Sequence, residues 1–304
     1  MAVATNTRAA KRDATTAYVA LNYTDGIRIY KTNNCGATWS IVSIQNSLYG
    51  YTLDSLCIIP SNPDIVLLMA EDDSNSYIFK SVDGGLTFTN KLQIVRNTIG
   101  HCRGNFLRFG SGRILAFVPT IWGGINQSNF YGYTSDDNGD TWTMRVDAMY
   151  MTGFPFASRI SSLVEYAAGA TCVPGRNDYW GSGNLPMWLL KTTNWGTSWS
   201  VVRVEGQGTP DWDTAVVQLL NGDIVISWNG SIYGQPRLYI SKDLGATWTL
   251  KTPSLSRINN MTSTKNRLIL YSSDDSKIYI SDDEGDTVTP VATGIEVVNS
   301  FLLF

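Results

Sequence analysis

The sequence predicts an all-β protein, a six-bladed β-propeller with four antiparallel strands per blade. Three observations carry that expectation. One eight-residue turn pattern recurs six times along the 304 residues. Short runs of alternating apolar residues fill the intervals between copies. The chain ends on an apolar run, Ser300 to Phe304, that has no strand left to pair with nearby in sequence.

The turn is read first, because a repeat fixes architecture before any single segment does. Its copies are TNNCGATW from Thr32, SVDGGLTF from Ser81, SDDNGDTW from Ser135, TTNWGTSW from Thr192, SKDLGATW from Ser241 and SDDEGDTV from Ser281. Their glycines, Gly36, Gly85, Gly139, Gly196, Gly245 and Gly285, follow one another at 49, 54, 57, 49 and 40 residues. A unit of that length holds four short strands and their turns, which is one propeller blade. Each residue type has a local task. Asn34, Asp83, Asp137, Asn194, Asp243 and Asp283 offer a side-chain oxygen to backbone N–H groups of a tight turn. Glycine takes the positive φ. The Ser or Thr hydroxyl adds a local bond, and the closing aromatic starts the next strand and packs between layers.

The strands fall around the turns. Named A to D from the inside of a blade outward, strand C enters each turn: IRIYKT, SYIFKS, FYGYTS, MWLLKT, RLYISK and KIYISD. Strand D leaves it: TWSIVSI, LTFTNKL, TWTMRV, SWSVVRV, TWTLKT and TVTPVA. Strand B reads AYVALNY, DIVLLMA, RILAFVP, ATCVPG, DIVISWN and RLILYSS, and strand A reads SLCIIP, NFLRF, SLVEYA, AVVQLL, MTST and SFLLF. The first blade lacks an A strand and the C-terminus has one to spare. Pairing Phe301–Phe304 with Tyr18–Tyr23 closes the ring and removes an unpaired inner edge. On this reading residues 17–304 are the propeller. Residues 1–16, mildly basic through Arg8, Lys11 and Arg12, form an arm that docks on a neighbouring protein subunit.

The turn resembles the Asp-box, or BNR repeat, of sialidases and related propellers, and the resemblance covers nearly the whole chain. In that family the boxes are structural turns remote from the catalytic face. The resemblance therefore implies that Asp83, Asp137, Asp243 and Asp283 are not a catalytic set. It implies further a Tyr nucleophile, a Glu beside it, an acid Asp and three arginines on the substrate carboxylate, one of them in an F/Y-R-I-P motif. No such motif occurs here, and the strand that should carry it, SFLLF, has no arginine. Arg96, Arg103, Arg159 and Arg176 lie on loops with no spacing that marks a triad. The expectation is against sialidase activity.

Composition narrows the remaining classes. Hydrophobic residues make up 43% and charged residues 16%, against about 25% charged in a usual globular protein. Ser, Thr, Asn and Gly take the polar positions, as suits β structure with many turns. A net charge of −3 gives no basic field for nucleic acid. No apolar run is long enough to span a membrane, and the N-terminal residues lack the apolar core of a secretion signal. Cys35, Cys57, Cys102 and Cys172 show no paired spacing and His101 is the sole histidine, so neither a metal site nor a cofactor is expected.

Binding is expected on the face opposite the repeated turns, where the B–C and D–A loops of the middle blades are long. Those loops carry Trp122, Tyr179, Trp180, Trp212, Trp228 and Tyr233, with Arg176 among them. Aromatic planes interleaved with Asn, Asp and Arg suit sugar rings, whose CH faces stack while their hydroxyls take hydrogen bonds. A hydrolase needs two carboxylates across a sugar, and Glu165, Asp178, Asp211 and Asp213 are the candidates. Alignment on the A–B turn also places Arg108, Glu165 and Gln218 at one level around the channel, either as an Arg108–Glu165 pair or as a channel carboxylate. In style the chain resembles virion proteins, especially bacteriophage tail or fibre components assembled in a host cytoplasm. The reading favoured is a non-catalytic structural or glycan-binding propeller of a virion. A glycoside hydrolase acting on surface polysaccharide or sialylated glycans, a protein-assembly scaffold, and a cytoplasmic location are the alternatives.

Overall fold

The computed structural model describes residues 6–11, 13, 15–62, 64–95, 104–121, 128–147, 156–157, 159–176, 187–204, 213–229, 236–272 and 274–293. They form a six-bladed β-propeller. Blade one contains β1 (Asn6–Lys11), β2 (Ala17–Tyr23), β3 (Gly26–Thr32) and β4 (Ser40–Gln45). Blade two contains β5 (Thr52–Ile58), β6 (Val66–Glu71), β7 (Asn75–Ser81) and β8 (Thr89–Val95). Blade three contains β9 (Asn105–Arg108), β10 (Ile114–Ile121), β11 (Ser128–Ser135) and β12 (Thr143–Asp147). Blade four is built from β13 (Phe156–Ala157), β15 (Thr171–Arg176), β16 (Met187–Thr192) and β17 (Ser200–Val204). Blade five has β18 (Asp213–Gln218), β19 (Ile224–Asn229), β20 (Pro236–Ser241) and β21 (Thr249–Lys251), with β14 (Arg159–Ser162) added on its inner side. Blade six is β22 (Asn260–Thr264), β23 (Arg267–Ser272), β24 (Lys277–Ser281) and β25 (Thr289–Thr293). A 3₁₀ turn at Asn46–Leu48 is the one helical element among the described residues. No helix there is long and apolar enough to cross a membrane.

The middle strands are the buried ones. All six residues of β6 and of β19 are buried, whereas β4 and β8 at the blade edges are mostly exposed. The core is therefore a series of layers between blades. Ile27, Ile29 and Tyr18 of blade one meet Leu56, Leu68 and Phe79 of blade two. Cys57, Leu67 and Ile78 of blade two meet Phe106, Ile114 and Tyr131 of blade three. Each fully buried Leu, Ile or Phe contributes about 1.5–3 kcal/mol.

Two expectations about the inner strands are corrected. The place beside β2 is held by β1, paired from Asn6↔Asn22 to Lys11↔Ala17, not by Phe301–Phe304, which lie outside the described residues. Residues 6–11 of the expected arm are thus a blade strand. NTRAAK shows no apolar alternation; its Ala10 packs against the core of blades one and two, and β1 lies next to β5. The second correction concerns SLVEYA, expected as a continuous A strand. In the structure β13 pairs with β15 only at Phe156↔Arg176 and Ala157↔Gly175, and the ladder stops next to Pro174, which has no N–H to give. The chain then leans away as β14 and runs parallel to β18 of the next blade. It returns to its own blade near Val164, whose carbonyl accepts from the Thr171 hydroxyl at 2.7 Å.

Candidate functional site

The six repeated turns share one hydrogen-bond scheme. In the blade-three copy, Asp137 Oδ1 accepts from the Ser135 hydroxyl at 2.8 Å, from Asp140 N at 3.0 Å and from Thr141 N at 2.9 Å. Its Oδ2 accepts from the Thr141 hydroxyl at 2.5 Å. Asp83, Asp243 and Asp283 repeat this arrangement with Thr87, Thr247 and Thr287. Asn34 and Asn194 keep two of the Oδ1 contacts, from the Thr32 or Thr192 hydroxyl and from Thr38 N or Ser198 N, but reverse the second bond, Nδ2 donating at 2.8 Å to Thr38 and to Ser198. Burial pushes Asp83 and Asp137 up, but the hydrogen bonds outweigh it and hold both carboxyls at about 2. Asp243 and Asp283 also sit at about 2, chiefly through the Thr247 and Thr287 hydroxyls. These carboxylates are fully occupied inside their turns.

The backbone of the turn is tighter than the sequence pattern suggests. Two consecutive residues are left-handed, the glycine and the residue before it: Cys35, Asn138, Trp195, Leu244 and Glu284 have φ between 54° and 59°, and blade two uses Gly84. The glycine also fits against the preceding blade. A Cβ on Gly139 would lie 2.7 Å from Leu67, and one on Gly285 2.3 Å from Leu238.

On this same face, at the channel end of the blades, side chains staple neighbouring A–B turns. Glu165 Oε2 accepts from Gly110 N of blade three, and its Oε1 accepts from Gly169 N at 2.7 Å. Gln218 Nε2 donates to Tyr166 O at 2.9 Å and to Gly222 O at 3.1 Å. The expected Arg108–Glu165 ion pair is not made; each carboxylate oxygen accepts a backbone N–H group instead. Arg108 Nε is buried without a hydrogen-bond partner. Burial pushes the nearby Cys57 thiol up to about 12 against the opposing pull of the Arg108 charge.

Arg108 lines an open cleft of about 500 Å³ with Ser61, Ser111, Gly112, Arg113, Asp136, Asn138 and Trp195. Arg113 is committed there: Nε and Nη2 donate to the two Asp136 oxygens at 2.6 and 2.9 Å, and Nη1 donates to Thr197 of blade four at 2.9 Å. A second cleft of about 440 Å³, lined by Gly110, Glu165, Tyr166, Ala167 and Ala168, shares Ser111 and Trp195 with the first. Trp195 forms the ridge between them. Its backbone N–H donates to Gly169 O at 2.8 Å and its ring lies on Gly169, where a Cβ would come within 2.7 Å of the indole. Sequence reasoning passed over this cleft. The available signal was Trp195 itself, a large aromatic at the outward position of a turn where other copies carry Cys, Gly, Asn, Leu or Glu.

The loop face expected to bind is only partly within the described residues. Trp122, Asp178, Tyr179, Trp180, Asp211, Trp212 and Tyr233 lie outside them. Arg176 ends β15 and Asp213 begins β18, with its Cα opposite Arg159. Trp228 is 2% exposed and packs with Ile226, Tyr239 and Leu189, so it is a core residue and not a platform for ligand. Of the four candidate carboxylates, Glu165 is the one whose side chain is described, and it is a strut between turns. No group of three or more His, Cys, Asp or Glu side chains suited to a metal ion occurs among the described residues.

No family model matches the chain. A sialidase of Clostridium perfringens is 24% identical over 205 residues, 56% of this chain and 51% of that protein. The chain therefore spans about half the length of the relative it matches. Among solved structures, a xyloglucanase of Xanthomonas campestris superposes with a TM-score of 0.64 at 18% identity, covering 93% of this chain and 45% of that one. An ulvan lyase bound to a GlcA–Rha3S saccharide superposes with a TM-score of 0.61 at 12% identity, covering 92% and 81%. At such identities the structural likenesses bear on the fold alone.

Proposed function

We propose that this protein is a glycan-binding propeller without hydrolytic activity, serving as a tail or fibre component of a virion. The observation that carries the non-catalytic half is Glu165. A general acid or nucleophile needs a carboxylate free to move to substrate, and each oxygen of Glu165 is anchored on a backbone N–H group of a turn. The glycan half is supported by the aromatic loops of blades three to five in the sequence, and by the named actions of the proteins it resembles, a sialidase, a xyloglucanase and a polysaccharide lyase. The ligand is a surface polysaccharide, held on the loop face by Trp180 and Trp212.

The hydrolase reading keeps one specific support, the 205-residue likeness to the sialidase. One experiment separates the two. The purified protein is incubated with bacterial surface polysaccharides and sialylated glycans, and retention and released fragments are both measured, the latter by mass spectrometry. The expected result is saturable retention without released oligosaccharide. The Trp180→Ala/Trp212→Ala variant should lose at least about tenfold in retention while its ring stays folded. Released oligosaccharides would overturn the non-catalytic reading, and unchanged retention in the double variant would remove the loop face as the site.

A further inference from the structure

We infer that the turn face carries a second ligand site, a hexuronate subsite in which Arg108 pairs the sugar carboxylate and Trp195 lies against the sugar ring. This site is on the opposite face from the loops discussed above and does not depend on them.

Charge gives the first argument. The cleft holds two arginines against one aspartate, and Asp136 is spent on Arg113 through two parallel bonds. Arg108 makes no ion pair or hydrogen bond among the described residues, and its Nε is already buried. An arginine that is partly desolvated and uncommitted favours an anion with paired oxygens, and a carboxylate matches the guanidinium fork. Shape gives the second. Trp195 is 39% exposed, yet its backbone N–H and its ring are both fixed on Gly169. It is therefore a platform that loses little freedom when a ligand arrives. An indole presents an apolar plane, which suits the CH face of a pyranose and has nothing to offer a bare phosphate. The third is the remaining lining. Ser61, Ser111 and Asn138 supply hydroxyl and amide groups for the sugar hydroxyls, and about 500 Å³ lies within the range of small-ligand sites.

Calorimetric titration of the full chain with glucuronate, glucose, acetate and an acetylated dipeptide tests the assignment. Glucuronate should bind saturably, more weakly as salt rises. Glucose should give no saturable heat, and acetate and the dipeptide should bind at least about tenfold more weakly than glucuronate. Arg108→Gln should weaken glucuronate by at least about tenfold with an unchanged thermal midpoint. Trp195→Asn, a residue that tolerates the left-handed backbone, should weaken it as well, and provides the readout if Arg108→Gln folds poorly. The loop-face variant Trp180→Ala/Trp212→Ala should titrate as the parent does, which keeps this site's outcome apart from that of the loop face. No glucuronate binding, equal binding of acetate or the dipeptide, or full binding by folded Arg108→Gln would each overturn the proposal.

Discussion

A carboxylate and an amide do the same work in the repeated turn with opposite polarity. Asp137 accepts the Thr141 hydroxyl proton at 2.5 Å, whereas Asn34 donates to Thr38 at 2.8 Å. Only the carboxylate copies respond to acid. Asp83, Asp137, Asp243 and Asp283 are held at about 2 in the folded chain, below their ordinary 3.8. A depressed folded value means stability that is present above about pH 4 and lost as pH falls toward 2. Urea midpoints should therefore fall across that window. Asp137→Asn should fold, since two native copies already use Asn, and its midpoint should fall less steeply with acid. An equally steep acid limb in the variant would show that the turn carboxylates are not its source.

Between elements, the seams are held by lysines that reach forward by one blade. Lys80 of β7 donates to Asp140 in the next blade's turn at 2.6 Å, and Lys91 of β8 joins the same carboxylate at 2.9 Å. Lys191 of β16 donates to Leu244 O at 2.8 Å, and Lys251 of β21 to Asp286 at 2.6 Å. The Lys80 side chain is only 2% exposed, so the two halves of its pair differ in what their removal leaves behind. Asp140→Ala strands a buried ammonium and should cost about 2–3 kcal/mol. Lys80→Met removes the buried charge itself and should cost about 1 kcal/mol or less. The double variant should then be more stable than Asp140→Ala alone, as urea denaturation would show. If the double variant is the least stable of the three, the stranded-charge account fails.

What was legible in the sequence follows the range of the forces involved. The six turns were legible because each of their hydrogen bonds spans four positions or fewer, as between Ser135 and Thr141 in the blade-three copy. Strands B and C were legible because their apolar pattern answers to a neighbouring blade on each side, and strand D because it follows directly from the turn. The inner strands of blades one and four were not. β1 carries no apolar alternation to mark it, and β14 lies beside a strand of the next blade and not of its own. The role of Glu165 was equally hidden, since its partner Gly110 lies 55 residues away. The cleft at Trp195 combines residues of blades two, three and four, and no spacing along the chain announces such a set.

At the scale of the whole molecule, blade one depends on the first residues of the chain. β1 supplies the inner neighbour of β2 and touches the core it shares with blade two through Ala10. Deleting residues 1–11 should expose a buried strand edge and lower the thermal midpoint by roughly 10 °C. A deletion with the parent's midpoint would show that β1 adds nothing to the ring.

The fit of turn glycines such as Gly139 and Gly285 against the preceding blade bears on how such a protein can be recombined. Gly139 is shaped by Leu67 and Gly285 by Leu238, while Lys80 and Lys191 anchor in turns that belong to their successors. A blade cut at its visible borders would carry half of two lock-and-key joints and leave both counterparts behind. The portion that keeps such a joint whole runs instead from the second strand of one blade to the turn of the next. Chimaeras spliced in the middle of a blade should consequently survive where those spliced between blades do not.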